Sequence, residues 1–322
     1  MAVSIHTMNR SVKVLCPAEL GCAKVQALDC DEGDHRMTDV SAPAGPLTGV
    51  RVVSLAINLP GPAAAARLSA LGAEVTKVEP PSGDPLAFGV PAYYEQLTAG
   101  QEVVTLDLKD ETERESLWAL LGETDLLVTS SRPSALARLD LGWESVHQRV
   151  PGLCQVAIVG HPGDEAEVAG HDLTYQATVG TLQPPQMPTT LIADLAGAER
   201  AVADGLAALL ARARTGEGVL REVALSDVAA SMAQPAAHGL TSAEGFLGGA
   251  LPAYGIYSTA SGFVALAALE GHFWQRVVEL LGVEGSRGDL EAAFSTRTAD
   301  EWEAWGREHG LPIAAVRTPG SH

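Results

Sequence analysis

The residues best equipped for chemistry in this chain stand in two short segments. Gly170-His171-Asp172-Leu173 comes first, and Leu191-Ile192-Ala193-Asp194-Leu195-Ala196-Gly197 places another carboxylate 22 residues beyond Asp172. An imidazole and carboxylates are acid–base and nucleophilic groups, and here glycine and alanine flank them. Small neighbours leave room for a substrate, so these polar groups read as displayed rather than merely solvated. Asp194 is expected immediately before a long helix, whose first N–H groups stabilise a carboxylate or a developing oxyanion. An aspartate at such a place also serves as a simple helix N-cap. For His171 the plain alternative is a loop histidine making one structural hydrogen bond. Asp172 reads as a brace for the loop or an orienter of His171.

The elements that must position these groups follow a regular pattern from Leu47 onward. Val50–Ala56 reads as a buried strand, Asn58–Pro62 as a turn, Ala63–Leu71 as a helix and Glu74–Val78 as the next strand. Pro62 suits the first helical position and Gly72 the C-terminal cap. Val103–Leu108, Leu126–Thr129 and Leu153–Val159 continue the alternation as strands, and the spacing changes after Val219–Leu225. Glu111–Leu121 and Ser134–Leu139 read as helices between them. Apolar strands separated by helices predict a parallel sheet covered on both faces. The first turn lacks G-x-G-x-x-G, so the standard dinucleotide fingerprint is absent. Further on, Ala253–Ser258 and Gly262–Leu269 read as paired strands. Helices His272–Leu281, Leu290–Phe294 and Thr298–Glu308 follow, with a last strand at Ile313–Val316. The fold class is therefore α/β: a Rossmann-like parallel sheet flanked by helices, with a second, smaller α+β domain. The expected limits are an unstructured extension over 1–46, a large domain over 47–239 and a small one over 240–322.

Composition excludes several classes of function. The 322 residues carry a net charge of −19, which opposes nucleic acid as a partner because phosphate contacts need a basic face. No run of about 18 apolar residues exists, so no membrane span is expected. The N-terminus lacks a continuous apolar segment, being interrupted by Asn9, Arg10, Lys13 and Glu19, which leaves the cytoplasm as the expected location. Cys16, Cys22 and Cys30, with His6 and His35 nearby, fit no standard zinc spacing, so no metal site is expected. Met37 is a candidate start for the functional protein, and Cys154 reads as a buried strand cysteine.

Several motifs, in order, resemble the family III CoA-transferases (the CaiB/BaiF group), which also contain the α-methylacyl-CoA racemases. They are Gly49-Val50-Arg51-Val52-Val53 with Gly61-Pro62, and Leu71-Gly72-Ala73-Glu74-Val75-Thr76-Lys77-Val78-Glu79-Pro80-Pro81. Leu106-Asp107-Leu108-Lys109, Ser131-Arg132-Pro133, Gly170-His171-Asp172, Ala193-Asp194 and Arg214-Thr215-Gly216-Glu217-Gly218 continue the series. The likeness runs from about Gly49 to Thr318.

The resemblance implies a role for Asp194 as the carboxylate that attacks an acyl-CoA thioester and then carries CoA as an aspartyl thioester. It equally implies a racemase, because histidine before Asp172 is the racemase form of the motif and would pair with Asp194 across the substrate's α-carbon. Leu269-Glu270-Gly271-His272-Phe273-Trp274 is similar to the racemase segment that bears a catalytic glutamate, which would be Glu270; a carboxylate at a helix start is the alternative. The transferase is the leading expectation, acting on an acyl-CoA and a small carboxylic acid. CoA is its substrate or carrier, and no cofactor is tightly bound.

For CoA itself the expected contacts are Lys77, Arg132, Pro60 and Gly61, with Arg67 or Lys109 as further cations. The chain departs from the family here. Ala99-Gly100-Gln101-Glu102 stands where many members carry a basic Gly-Lys-Arg run, and Gly83-Asp84-Pro85 leads to Leu86 rather than to an arginine. A homodimer is implied as well. Relatives return from the small domain to the large one, whereas this sequence stops at His322, just past Leu311–Arg317, so whether the subunits interlock stays open.

Overall fold

The computed structural model describes residues 45–318. The early cysteines, His6, His35, Met37 and nearly all of the expected extension lie outside the described residues. Six strands form the main sheet: β1 (Arg51–Ser54), β2 (Glu74–Glu79), β3 (Glu102–Thr105), β4 (Leu126–Thr129), β5 (Cys154–Val159) and β6 (Leu220–Ala224). They lie in the order β3-β2-β1-β4-β5-β6, and every neighbouring pair is parallel. The chain thus builds outward from β1 on one side, then returns to build outward on the other. Such a doubly wound sheet opens a crevice where the winding reverses, at the carboxyl ends of β1 and β4.

Alternation along the strands explains the two covered faces. Val52, Leu126, Val128 and Val156 pack on one side, against Ala64, Ala65 and Leu68 of the helix Pro60–Ala70 and Ala198, Ala201 and Val202 of the helix Ile192–Thr215. Val53, Leu127 and Leu55 face the other way, onto Leu117, Trp118 and Leu121 of the helix Glu111–Leu121. Small residues let the long helix sit close: a methyl group at Gly197 would meet the Leu225 side chain. That helix has 24 residues, but Glu199, Arg200, Asp204 and Arg212 interrupt it. No helix among the described residues is long and apolar enough to cross a membrane. Cys154 is fully buried in β5, as expected.

Some boundaries move. The first helix starts at Pro60, so Pro60 rather than Pro62 takes the first helical position. The strand expected over Val103–Leu108 is limited to Glu102–Thr105, an edge strand with little to bury. Helices Pro85–Gly89, Pro91–Thr98, Trp143–Arg149 and Leu225–Met232 were not expected. Three of them have eight residues or fewer and begin at or beside proline or glycine, which read as turn signals in the sequence. The second sheet contains β7 (Tyr254–Ser258), β8 (Phe263–Ala267) and β9 (Ile313–Ala315), all antiparallel. Its core gathers Tyr257, Val264, Leu266, Phe294 and Trp302, with Trp302 Nε1 donating to the Phe294 carbonyl at 2.8 Å.

Candidate active site

A cleft of about 260 Å³ opens at the carboxyl ends of β1, β4 and β5. Asn58 and Pro60 from the turn after β1, Ser130 to Arg132 after β4, and Gly160 after β5 form one part of its wall. His171, Tyr175 and Asp194 form another. Ser130 fastens the two central turns, its Oγ accepting from the Ile57 N–H at 3.1 Å. The crevice therefore sits where a doubly wound sheet is expected to bind its ligand.

Asp172 organises the segment that carries Asp194. It is 3% exposed, and its Oδ1 accepts from the N–H groups of Ala193 at 2.7 Å and Asp194 at 3.1 Å. Its Oδ2 accepts from Gln176 Nε2 at 2.5 Å. Asp172 is thus the brace expected of it, and it supplies the cap for the start of a helix far along the chain. Leu191 occupies the backbone N-cap position and offers no side-chain bond. The alternative of Asp194 as a simple N-cap is therefore corrected, and so is its place before the helix: it lies in the first turn. Its carboxylate accepts no hydrogen bond among the described residues. Burial, reinforced by the Asp172 charge and moderated by His171, pushes the Asp194 carboxyl up from 3.8 to about 6. Desolvation here outweighs the favourable helix start.

His171 is exposed and caps the helix Asp172–Thr178 through its backbone, exchanging hydrogen bonds with the Thr174 hydroxyl at 3.0 and 2.7 Å. His171 also lines the cleft. Arg132 is exposed in the same wall, at the start of the helix Pro133–Arg138. Pro60 lines the cleft, whereas Gly61 is buried behind it in the helix, where an added Cβ would collide with the Ala56 side chain, and does not line the cleft.

Two further expected site residues do not join them. Lys77 is fully buried, with Nζ 2.9 Å from Asp84 Oδ2, 3.2 Å from Glu79 Oε1 and 3.1 Å from the Ala56 carbonyl oxygen. An ammonium so enclosed faces no phosphate; the correction follows from the loop after β2 folding Asp84 over the strand. Glu270 is exposed at the N-cap of the helix Gly271–Leu281 and does not line the cleft. It matches the helix-start alternative. Arg67 is engaged with Glu199 at 3.9 Å. Lys109 lines a neighbouring groove that shares Ile57 and Ser131 with the cleft.

The sequence reading missed Tyr175, which is 2% exposed yet lines the cleft. The available signal was its spacing. It lies four residues from His171, on the face of a short helix that this histidine begins.

Fold and site together define a doubly wound α/β protein with a half-buried carboxylate and an imidazole at the switch point of its sheet. Residues 47–322 match the model of CoA-transferase family III, and the chain belongs to that family. It is 32% identical over 276 residues to the succinate–glutarate CoA-transferase of Agrobacterium fabrum, covering 77% of this chain and 69% of the relative. It is also 30% identical over 260 residues to the human alpha-methylacyl-CoA racemase, covering 74% of this chain and 65% of the relative. The crystal structure of the hypothetical protein Rv3272 from Mycobacterium tuberculosis superposes with a TM-score of 0.75 at 27% identity, covering 86% of this chain and 87% of that one.

Proposed function

We propose that the protein moves CoA between an acyl-CoA thioester and a small carboxylic acid, with Asp194 as nucleophile and carrier. The observation that carries this is the Asp194 carboxylate itself, half-buried in the cleft and unpaired while Asp172 does the capping. One Asp194 oxygen adds to the thioester carbon. The carbon–sulfur bond then breaks, and its electron pair leaves with the CoA thiolate. This gives a mixed anhydride of Asp194 and the acyl group. The thiolate attacks the aspartyl carbonyl carbon, releasing the donor acid as its carboxylate and leaving CoA on Asp194 as a thioester. An acceptor carboxylate runs the two steps in reverse, which forms the new acyl-CoA and restores Asp194. Covalent passage divides one hard acyl transfer into easier steps. Arg132 is the cation we assign to the CoA phosphates, with Pro60 and Gly61 bounding the chain near the thioester. The groove lined by Leu55, Val78, Leu106 and Lys109 lies beside the cleft and suits the less polar part of CoA. A homodimer is part of the same proposal, and sedimentation equilibrium tests it.

A second reading has one specific observation in its favour. His171 and Asp194 share the cleft, so they suit removal and return of an α-proton in a racemase. Incubation with a panel of acyl-CoA thioesters in deuterated water, with and without carboxylate acceptors, separates the two. Acceptor-dependent CoA exchange is the expected result. Deuterium at the α-carbon without an acceptor would replace the transferase reading by the racemase, and neither outcome would refute both.

A further inference from the structure

Tyr175 stands apart from the other groups of the cleft because it is almost wholly buried and its hydroxyl makes no hydrogen bond among the described residues. Three neighbours hold its ring. A Cβ added at Gly160 would lie 2.6 Å from the phenol oxygen, and one added at Gly170 would lie 2.5 Å from ring carbon Cε1. The His161 ring meets it edge-on with centroids 5.3 Å apart. Two glycines on separate loops thus leave room for one ring, and the phenol borders the cleft that holds Asp194. Tyr94 shows what the fold does with a purely structural phenol: its hydroxyl donates to Glu79 Oε1 at 2.8 Å. The Tyr175 hydroxyl has no such protein acceptor and borders the cleft, where a bound ligand can offer one.

We propose that the Tyr175 hydroxyl donates a hydrogen bond to the carbonyl oxygen of the bound acyl thioester, polarising the carbon that Asp194 attacks. The inference rests on the acyl-CoA reading above. Negative charge gathers on that oxygen as the tetrahedral adduct forms, and a preorganised donor stabilises it most there. The phenol is suited to donate rather than to act as a base, because burial and the nearby Asp194 charge hold its pKa above the usual value. No proton is transferred from it in any step.

The test uses the full chain. Tyr175→Phe keeps the ring between the two glycines and removes only the donor. Loss of such a donor is expected to lower kcat by about 10²-fold with little change in KM. Binding is then measured for two non-reactive CoA ligands, a ketone in which CH2 replaces the thioester sulfur and an S-alkyl thioether without the carbonyl. The wild type should prefer the ketone, and Tyr175→Phe should lose that preference while binding the thioether as before. Should the phenylalanine variant fold poorly, 3-fluorotyrosine at position 175 provides a stronger donor of nearly the same shape. It should shift the ketone's carbonyl stretch further than the wild type does. An unchanged kcat, an unchanged ketone preference or an unmoved carbonyl stretch would overturn the inference alone. A wild type that binds neither ligand would overturn the acyl-CoA reading and this inference with it.

Discussion

Two clusters of ionisable groups lie at the carboxyl ends of the same sheet, and they are built in opposite ways. Beyond β2, Lys77, Asp84, Glu79 and Tyr94 satisfy one another. The ammonium is held by two carboxylates and a carbonyl, and Tyr94 is pushed up to about 12 by burial and its bond to Glu79. Asp84 also accepts from the N–H of Asn58 at 3.1 Å, where the backbone turns left-handed with φ of 69°. That cluster therefore props the turn which forms one wall of the cleft. Beyond β4 and β5, Asp194, His171 and Tyr175 line one cleft, and neither the Asp194 carboxylate nor the Tyr175 hydroxyl is hydrogen-bonded within the described residues. Charge is neutralised in the first cluster and left uncompensated at Asp194 in the second. Burial alone does not tell the two apart; the count of satisfied bonds does.

Breaking the open cluster should have the largest effect on activity. Asp194→Ala is expected to abolish CoA exchange and the hydroxylamine-sensitive adduct while circular dichroism stays native. Exchange that continues in this variant would remove the covalent route. In the closed cluster the effect should fall on stability. Lys77→Met leaves Asp84 and Glu79 buried without their cation, which costs about 3–5 kcal/mol in denaturant unfolding. An unfolding midpoint equal to the wild type would show that the cluster carries no such strain.

Smaller effects sharpen the contrast. His171→Ala should cost less than about 10-fold in CoA exchange, since a carboxylate nucleophile needs no base, whereas a racemase would lose about 10²- to 10⁴-fold in α-deuteration. Its kinetics therefore weigh the two readings directly. The raised carboxyl of Asp194 predicts that kcat/KM climbs as pH rises through about 6, as the nucleophile ionises. The same shift has a signed effect on folding. A carboxyl whose folded pKa exceeds its unfolded 3.8 favours the folded state below that value, and this advantage is lost as pH rises through about 6. Asp194→Asn should accordingly raise Tm at pH 8 and lose that benefit near pH 4, and a Tm difference independent of pH would contradict the shift. Smallest of all, Glu270→Gln changes an exposed helix start outside the cleft, so its effect on stability is expected within about 0.5 kcal/mol. A large loss of exchange there would show that Glu270 reaches a cleft by some route other than its own chain.

How much was legible follows from the range of the interactions involved. Strand identity and sheet class could be read from Val52, Leu126 and Val156 and their neighbours, because apolar runs and glycine or proline punctuation are local signals. The helices Glu111–Leu121 and Gly271–Leu281 were likewise visible, the first starting after Asp110, whose side chain accepts from the Glu113 N–H. His171 and Asp194 were legible as candidates from their residue types and small neighbours. By itself the sequence determined which groups are available for chemistry and which segments carry them. Tertiary structure decided their roles, because each role depends on contacts between distant segments. Asp172 caps a helix 20 residues along the chain and so frees Asp194. The Asp84 loop closes over Lys77 and withdraws it from solvent. Gly160 and Gly170, on separate loops, meet around Tyr175. Desolvation and hydrogen-bond satisfaction are properties of the assembled site, and no local pattern encodes them.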